Sequence, residues 1–103
     1  MPTTEQHSDI TLDAALKALA NPVRREVVLT LLETPGGRVT NCSVFDVGVS
    51  KSTLTQHLRV LNESGIVQTT DEGNRCTVEL RTDEVDRSLP GLLDLLRSSG
   101  RAG

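Results

Sequence analysis

Aromatic residues are almost missing from this 103-residue chain: Phe45 stands alone, with neither Trp nor Tyr. Folds that grip single-stranded nucleic acid stack its bases on aromatic rings, so a single-strand binder of the OB or RRM type is disfavoured. Long apolar runs are absent too, none approaching the roughly 18 residues of a membrane-spanning helix. The polar start, Pro2 to Asp9, has neither the basic-then-apolar order of a secretory signal nor the Arg-rich character of a transit sequence. These absences point to a soluble cytoplasmic protein with no membrane partner. Cysteine is scarce: Cys42 and Cys76 make neither a disulfide framework nor a CxxC metal knuckle, and the expectation is two separate reduced thiols. Cys76 reads as a small core residue, and Cys42 as a plain thiol with redox or soft-metal sensing as the alternative. Nor is there a nucleophile–base pair, a Gly-rich phosphate loop or a paired-carboxylate cluster, so no enzyme is expected.

A basic excess is also lacking, since the net charge is −3. Its distribution is more informative. Between Arg38 and Arg81 five bases (Arg38, Lys51, Arg59, Arg75, Arg81) offset five acids (Asp46, Glu63, Asp71, Glu72, Glu79), and the flanks hold the acidic surplus. The middle is the part best able to approach a polyanion. Hydrophobic residues make up 36% of the chain, mostly Leu and Val. That suits one small domain with a lean core, for which oligomerisation is a natural expectation.

Periodicity orders the chain as a flexible arm (1–10), a folded domain (11–97) and a loose tail (98–103). Asp9 or Thr11 caps a first helix carrying Leu12, Ala15, Leu16, Leu19 and Ala20. Asn21-Pro22 ends it and starts a second helix, to about Glu33, with Val23, Val27, Val28, Leu31 and Leu32 inward and Arg24, Arg25 and Glu26 outward. Arg38 to Thr40 is a short extended piece. Cys42 to Val47 reads as a short helix ended by Gly48. Ser50 then caps the best-defined helix, Lys51 to Glu63, with Leu54, Leu58 and Leu61 on one face and Gly65 as its stop. Ile66–Thr70 and Arg75–Arg81 flank Asp71-Glu72-Gly73-Asn74, and the alternation of Cys76, Val78 and Leu80 with polar neighbours marks a hairpin strand. Thr82 to Ser88 is read as a polar turn. A last helix from about Leu89 carries Leu89, Leu92, Leu93 and Leu96 on one face.

The predicted fold class is therefore mainly α with a β-hairpin wing, a winged helix-turn-helix working as a homodimer. A short helix, a turn at Gly48-Val49 and a capped helix with small polar residues at its front make the helix-turn-helix signal. Candidate DNA contacts are Lys51, Ser52, Thr53, Thr55, Gln56, His57 and Arg59, with Arg75 near the wing tip. Gln56 suits adenine, Arg59 suits guanine or a phosphate, and the short Ser and Thr side chains let the helix front approach the backbone. Leu12, Leu16, Leu89, Leu92, Leu93 and Leu96 are the candidate dimer interface.

These motifs resemble the ArsR-type family of winged-helix regulators. Ala18-Leu19-Ala20-Asn21-Pro22-Val23-Arg24-Arg25 is similar to the family's opening motif. Ser50 to Leu61 followed by Glu63-Ser64-Gly65-Ile66-Val67 is similar to its recognition helix and entry to the wing, and Glu72-Gly73-Asn74-Arg75 to its wing tip. The resemblance, over roughly residues 12–97, implies a homodimeric repressor that binds double-stranded DNA at an inverted repeat and answers to a small-molecule, metal or protein effector. The family's metal-sensing Cys-x-Cys-Asp-Leu motif falls here on Ser43, Val44, Phe45, Asp46 and Val47, so both thiolates are missing. The resemblance thus implies no metal site and no cofactor. A weak nickel or zinc site built from His7 with Asp9, Asp13, Asp83 and Asp86 across the dimer, thiol-based redox response, and a winged-helix module that binds protein instead of DNA are the alternatives.

Overall fold

In a computed structural model of the chain, residues 10–45, 47–72 and 75–99 are described, and of Ser43, Asp71, Glu72 and Arg75 the backbone only. The expected arm and tail therefore lie mostly outside the described residues, as do His7, Asp9, Asp46 and the turn residues Gly73 and Asn74.

Among the described residues five α-helices accompany a three-stranded sheet. Helix α1 (Leu12–Leu19) is capped by Thr11, whose side chain accepts from the Ala14 amide. Helix α2 (Pro22–Glu33) starts at Asn21, whose Oδ1 accepts from the amides of Val23 and Arg24 at 2.8 and 3.3 Å. The α1–α2 corner is fixed by two arginines that the pattern had pointed outward. Arg24 donates to the carbonyls of Ala18 (2.6 Å) and Lys17 (3.3 Å), and Arg25 to those of Leu19 (2.8 Å) and Ala20 (3.3 Å). A helix end leaves its last carbonyls without intrahelical partners and carries partial negative charge. Two guanidiniums satisfy both needs, which is why Arg24 folds back over α1 and is only half exposed.

Strand β1 (Arg38–Val39) follows the Pro35–Gly37 turn. The expected Cys42–Val47 helix contracts to one 3-10 turn, Cys42–Val44, from which Phe45 drops into the core. Helix α3 (Lys51–Ser64) is capped by Ser50 Oγ, which accepts from the Thr53 amide at 3.2 Å. It ends at Gly65, in the left-handed conformation at φ 88°. The left-handed backbone favours glycine, and a Cβ there would also press on the Ile10 side chain at 3.1 Å.

Strands β2 (Val67–Glu72) and β3 (Arg75–Leu80) form an antiparallel hairpin, and β1 pairs with the other edge of β3, giving the order β1-β3-β2. The expected polar turn at 82–88 is instead helix α4 (Thr82–Ser88). Asp83 and Glu84 in its first turn suit the helix dipole, and its one apolar residue, Val85, is fully buried. Leu89 closes α4, and Pro90-Gly91, with Gly91 at φ 92°, separates it from α5 (Leu92–Ser99). The last helix thus begins three residues later than expected.

The core gathers Val27, Val28 and Leu31 of α2, Leu61 of α3, Ile66, Val67 of β2, Val78 of β3 and Val85 of α4, all essentially inaccessible. Leu93 (2% exposed) and Leu96 (8%) close the same core against α2, so their assignment to a dimer interface is corrected: each chain buries them itself. Leu89 and Leu92 are half-buried. The apolar side chains left in solvent on the terminal helices are Leu12 and Leu16 of α1, each 54% exposed, and Leu95 of α5 at 61%.

Cys42 and Cys76 are joined by a disulfide, with Cα atoms 5.9 Å apart, which corrects the expectation of separate thiols. The cause is register. Val39 lies opposite Val78, so the chain leaving β1 runs beside β3 toward Cys76. That neighbourhood exists only once the sheet has formed.

Candidate nucleic-acid interface

Helix α3 divides into two faces. Leu54, Leu58 and Leu61 point into the core, and the intervening positions place Lys51, Ser52, Thr53, Thr55, Gln56 and Arg59 in solvent. Ser52, Thr55, Gln56 and Arg59 fall at i, i+3, i+4 and i+7, so they form one polar ridge along the helix. The helix start is tightly ordered. Ser50 Oγ donates to Thr53 Oγ1 (3.0 Å), lies 3.4 Å from Ser52 Oγ, and caps the Thr53 amide; Thr55 Oγ1 donates to the Lys51 carbonyl (3.0 Å). Thr53 and Thr55 therefore spend hydroxyl capacity inside the helix, whereas among the described residues no such bond engages the side chains of Gln56 and Arg59. Of the predicted contacts these two are the long side chains best placed to reach outward.

His57 behaves differently. It is half-buried, and its Nδ1 lies 3.1 Å from Nη1 of Arg24. A guanidinium can only donate, so Nδ1 accepts and the neutral ring carries its proton on Nε2. Arg24 thus links the end of α1, the start of α2 and His57 on α3, a role for which the Asn-Pro-x-Arg spacing was the only sequence trace. Burial, and then the Arg24 charge, pull the His57 pKa below its usual value. The neutral form is the one the fold favours. The stability that His57 contributes is accordingly complete above about pH 6.5, the unfolded value, falls as pH drops below it, and levels off beneath the depressed folded value. Denaturation midpoints measured between pH 7.5 and 5.5 should fall more for the natural chain than for His57→Gln. Equal falls would contradict the Arg24–His57 contact.

The hairpin stands beside α3. Helix and β2 pack together, and Asn62 Oδ1 accepts from the Thr69 amide at 3.1 Å, tying the outer end of α3 to the strand. At the tip, the backbone of Arg75 pairs with Glu72; its side chain lies outside the described residues. At the other end of the hairpin Arg81 donates to the Gly65 carbonyl (3.1 Å) and faces Glu84 at 3.8 Å, so it braces the strand ends. Among the described residues no group of three or more His, Cys, Asp or Glu side chains is assembled to hold a metal ion, and no helix is long and apolar enough to cross a membrane.

A capped helix with a polar outer ridge, set behind a tight turn and flanked by a two-stranded hairpin, defines a winged helix-turn-helix protein. Residues 21–69 match the family model for bacterial regulatory proteins of the arsR family. The chain is 30% identical over 98 residues, 91% of its length and 94% of the relative's, to YceK of Bacillus subtilis (strain 168), described as an uncharacterized HTH-type transcriptional regulator. It also superposes, with a TM-score of 0.65, on the crystal structure of an ArsR family transcriptional regulator, covering 100% of this chain and 99% of that one at 20% identity. This chain belongs to the ArsR family of DNA-binding transcriptional regulators.

Proposed function

We propose that the chain acts as a homodimeric repressor that binds an inverted-repeat operator, with Gln56 and Arg59 reading base edges and Lys51, Ser52 and the α3 amides holding phosphates. The observation that carries this reading is the exposed Ser52–Thr55–Gln56–Arg59 ridge on a helix whose opposite face is locked into the core. Such a ridge fits the major groove, where amide and guanidinium groups discriminate base pairs by paired hydrogen bonds. The β2–β3 wing then meets the neighbouring backbone, with Arg75 as its cation. Dimerisation is supported by Leu12, Leu16 and Leu95, which are large apolar side chains with no partner inside the chain's own core. A two-fold axis through such a contact sets two α3 helices about 34 Å apart, one helical turn of DNA.

The test is a duplex titration. Gln56→Ala and Arg59→Ala should each weaken binding to the preferred sequence by about 1–3 kcal/mol. Both side chains are exposed, so thermal midpoints should stay unchanged. An equal loss on random-sequence duplex would make them phosphate contacts only. Salt-independent binding without sequence preference would favour a protein-binding module, the reading suggested by the net charge of −3.

A further inference from the structure

The Cys42–Cys76 disulfide joins the wing to the segment that leads into α3, the two parts that the proposed function sets against DNA. Cys42 opens the 3-10 turn that leads, through Gly48 at φ 75°, to the α3 cap at Ser50. Cys76 follows directly on Arg75, at the tip end of β3. Each sulfur residue is only half-buried, at the margin of the core and not within it. The core elements have apolar packing of their own, which the bond supplements. What it adds is a covalent link between wing and recognition-helix approach, where β1 contributes only the Arg38 and Val39 pairings.

We propose that Cys42–Cys76 is a reversible thiol–disulfide site that answers to low-molecular-weight disulfides of the glutathione type, and that the bonded form is the stronger DNA binder. The proposal rests on the DNA-binding reading. The family is one of bacterial regulatory proteins, and a regulator of that kind works beside the chromosome, in a compartment that keeps thiols reduced, where disulfides are characteristically transient or sensing. Oxidation proceeds by exchange. One cysteine thiolate attacks a sulfur of the small disulfide and expels one small thiolate; the second cysteine then attacks the mixed disulfide and expels the other. Two protein thiols and one small disulfide become one protein disulfide and two small thiols, and the reverse exchange reopens the bond. Closing it fixes the wing relative to α3 before DNA arrives, so less ordering remains to be done on binding.

The experiment uses the full chain in buffers of reduced and oxidised glutathione. The probe is a duplex that the oxidised chain itself selects from a random pool. Thiol alkylation with mass readout gives the fraction bonded, and fluorescence anisotropy gives the affinity. Expected results are a bond that opens and closes with the glutathione ratio, an affinity about tenfold lower when open, and a Cys42→Ser/Cys76→Ser double variant fixed at the lower affinity in every buffer. A bond that reduced glutathione leaves intact, or an open form that binds equally or more tightly, overturns the switch. If the double variant fails to fold, the natural chain's own titration decides. Hydrogen exchange of the β3 amides reads the coupling without DNA: faster exchange in the open form supports it, and unchanged exchange overturns it. A chain that selects no duplex in either state instead overturns the DNA-binding reading.

Discussion

Leu95→Asp is expected to give a folded monomer, whereas Leu93→Asp is expected not to fold at all. The two positions lie in one short helix, yet Leu95 is 61% exposed and Leu93 is 2% exposed. An aspartate at 95 points into water in the separated chain and costs little there. In a dimer that covers this position it leaves a charge without solvent or partner, so association is lost. At 93 the same charge would enter the core against α2, with an effective cost of several kcal/mol that a stability of about 5–15 kcal/mol cannot readily absorb. Leu16→Asp on α1 should behave like Leu95→Asp. Sedimentation equilibrium and far-UV circular dichroism on the three variants check this. A dimer that survives both exposed substitutions would place the interface elsewhere, and a folded Leu93→Asp would refute the core assignment.

Leu61→Ala should cost about 2–5 kcal/mol of stability, the range for truncating a fully buried leucine. Leu61 is inaccessible and anchors the C-terminal half of α3, in the core cluster that also holds Ile66 at the entry to the wing. Removing its side chain is expected to leave a cavity beneath α3, because Gly65 is fixed by its left-handed backbone and the strands beyond it are paired. Urea midpoints against the natural chain measure the loss. A cost below about 1 kcal/mol would mean that α3 is not held by this face.

These two predictions show where the sequence was transparent. Ser50, the Leu54–Leu58–Leu61 spacing and Gly65 announce α3, because cap, period and stop act locally and agree with one another. The alternation Cys76–Val78–Leu80 likewise shows a strand with one face inward, and Val78 and Leu80 are buried as that pattern requires. What stayed hidden depends on tertiary neighbours. Arg24 and Arg25 read as solvated charges until the α1 carbonyls lie beside them. Helix α4 has a single apolar anchor, Val85, too little for a periodic signal. Leu92, Leu93 and Leu96 of α5 share a face, as expected, while Leu89 falls before the helix; no periodicity says whether a helix spends its apolar face on its own core or on a second copy. Leu93 and Leu96 spend it at home, and Leu95 was overlooked because it lies off that face. The disulfide has the least local signature of all, since it follows from strand register between segments 34 positions apart.

Of the candidate DNA contacts, the exposed ridge of α3 was legible because a helix with one leucine face must turn its other face outward. The engagement of His57 by Arg24 was not, because it depends on where α2 crosses α3.

The central claim, that the α3 ridge and the wing read double-stranded DNA as a symmetric pair, is tested most directly by letting the full chain select from a pool of random duplexes. The enriched sequences are then titrated at two salt concentrations. The account predicts an inverted repeat with half-site centres about 10 base pairs apart, bound at least about 10³-fold more tightly than random duplex, with affinity falling steeply as salt rises. A pool that emerges without enrichment, or binding indifferent to both sequence and salt, would contradict it.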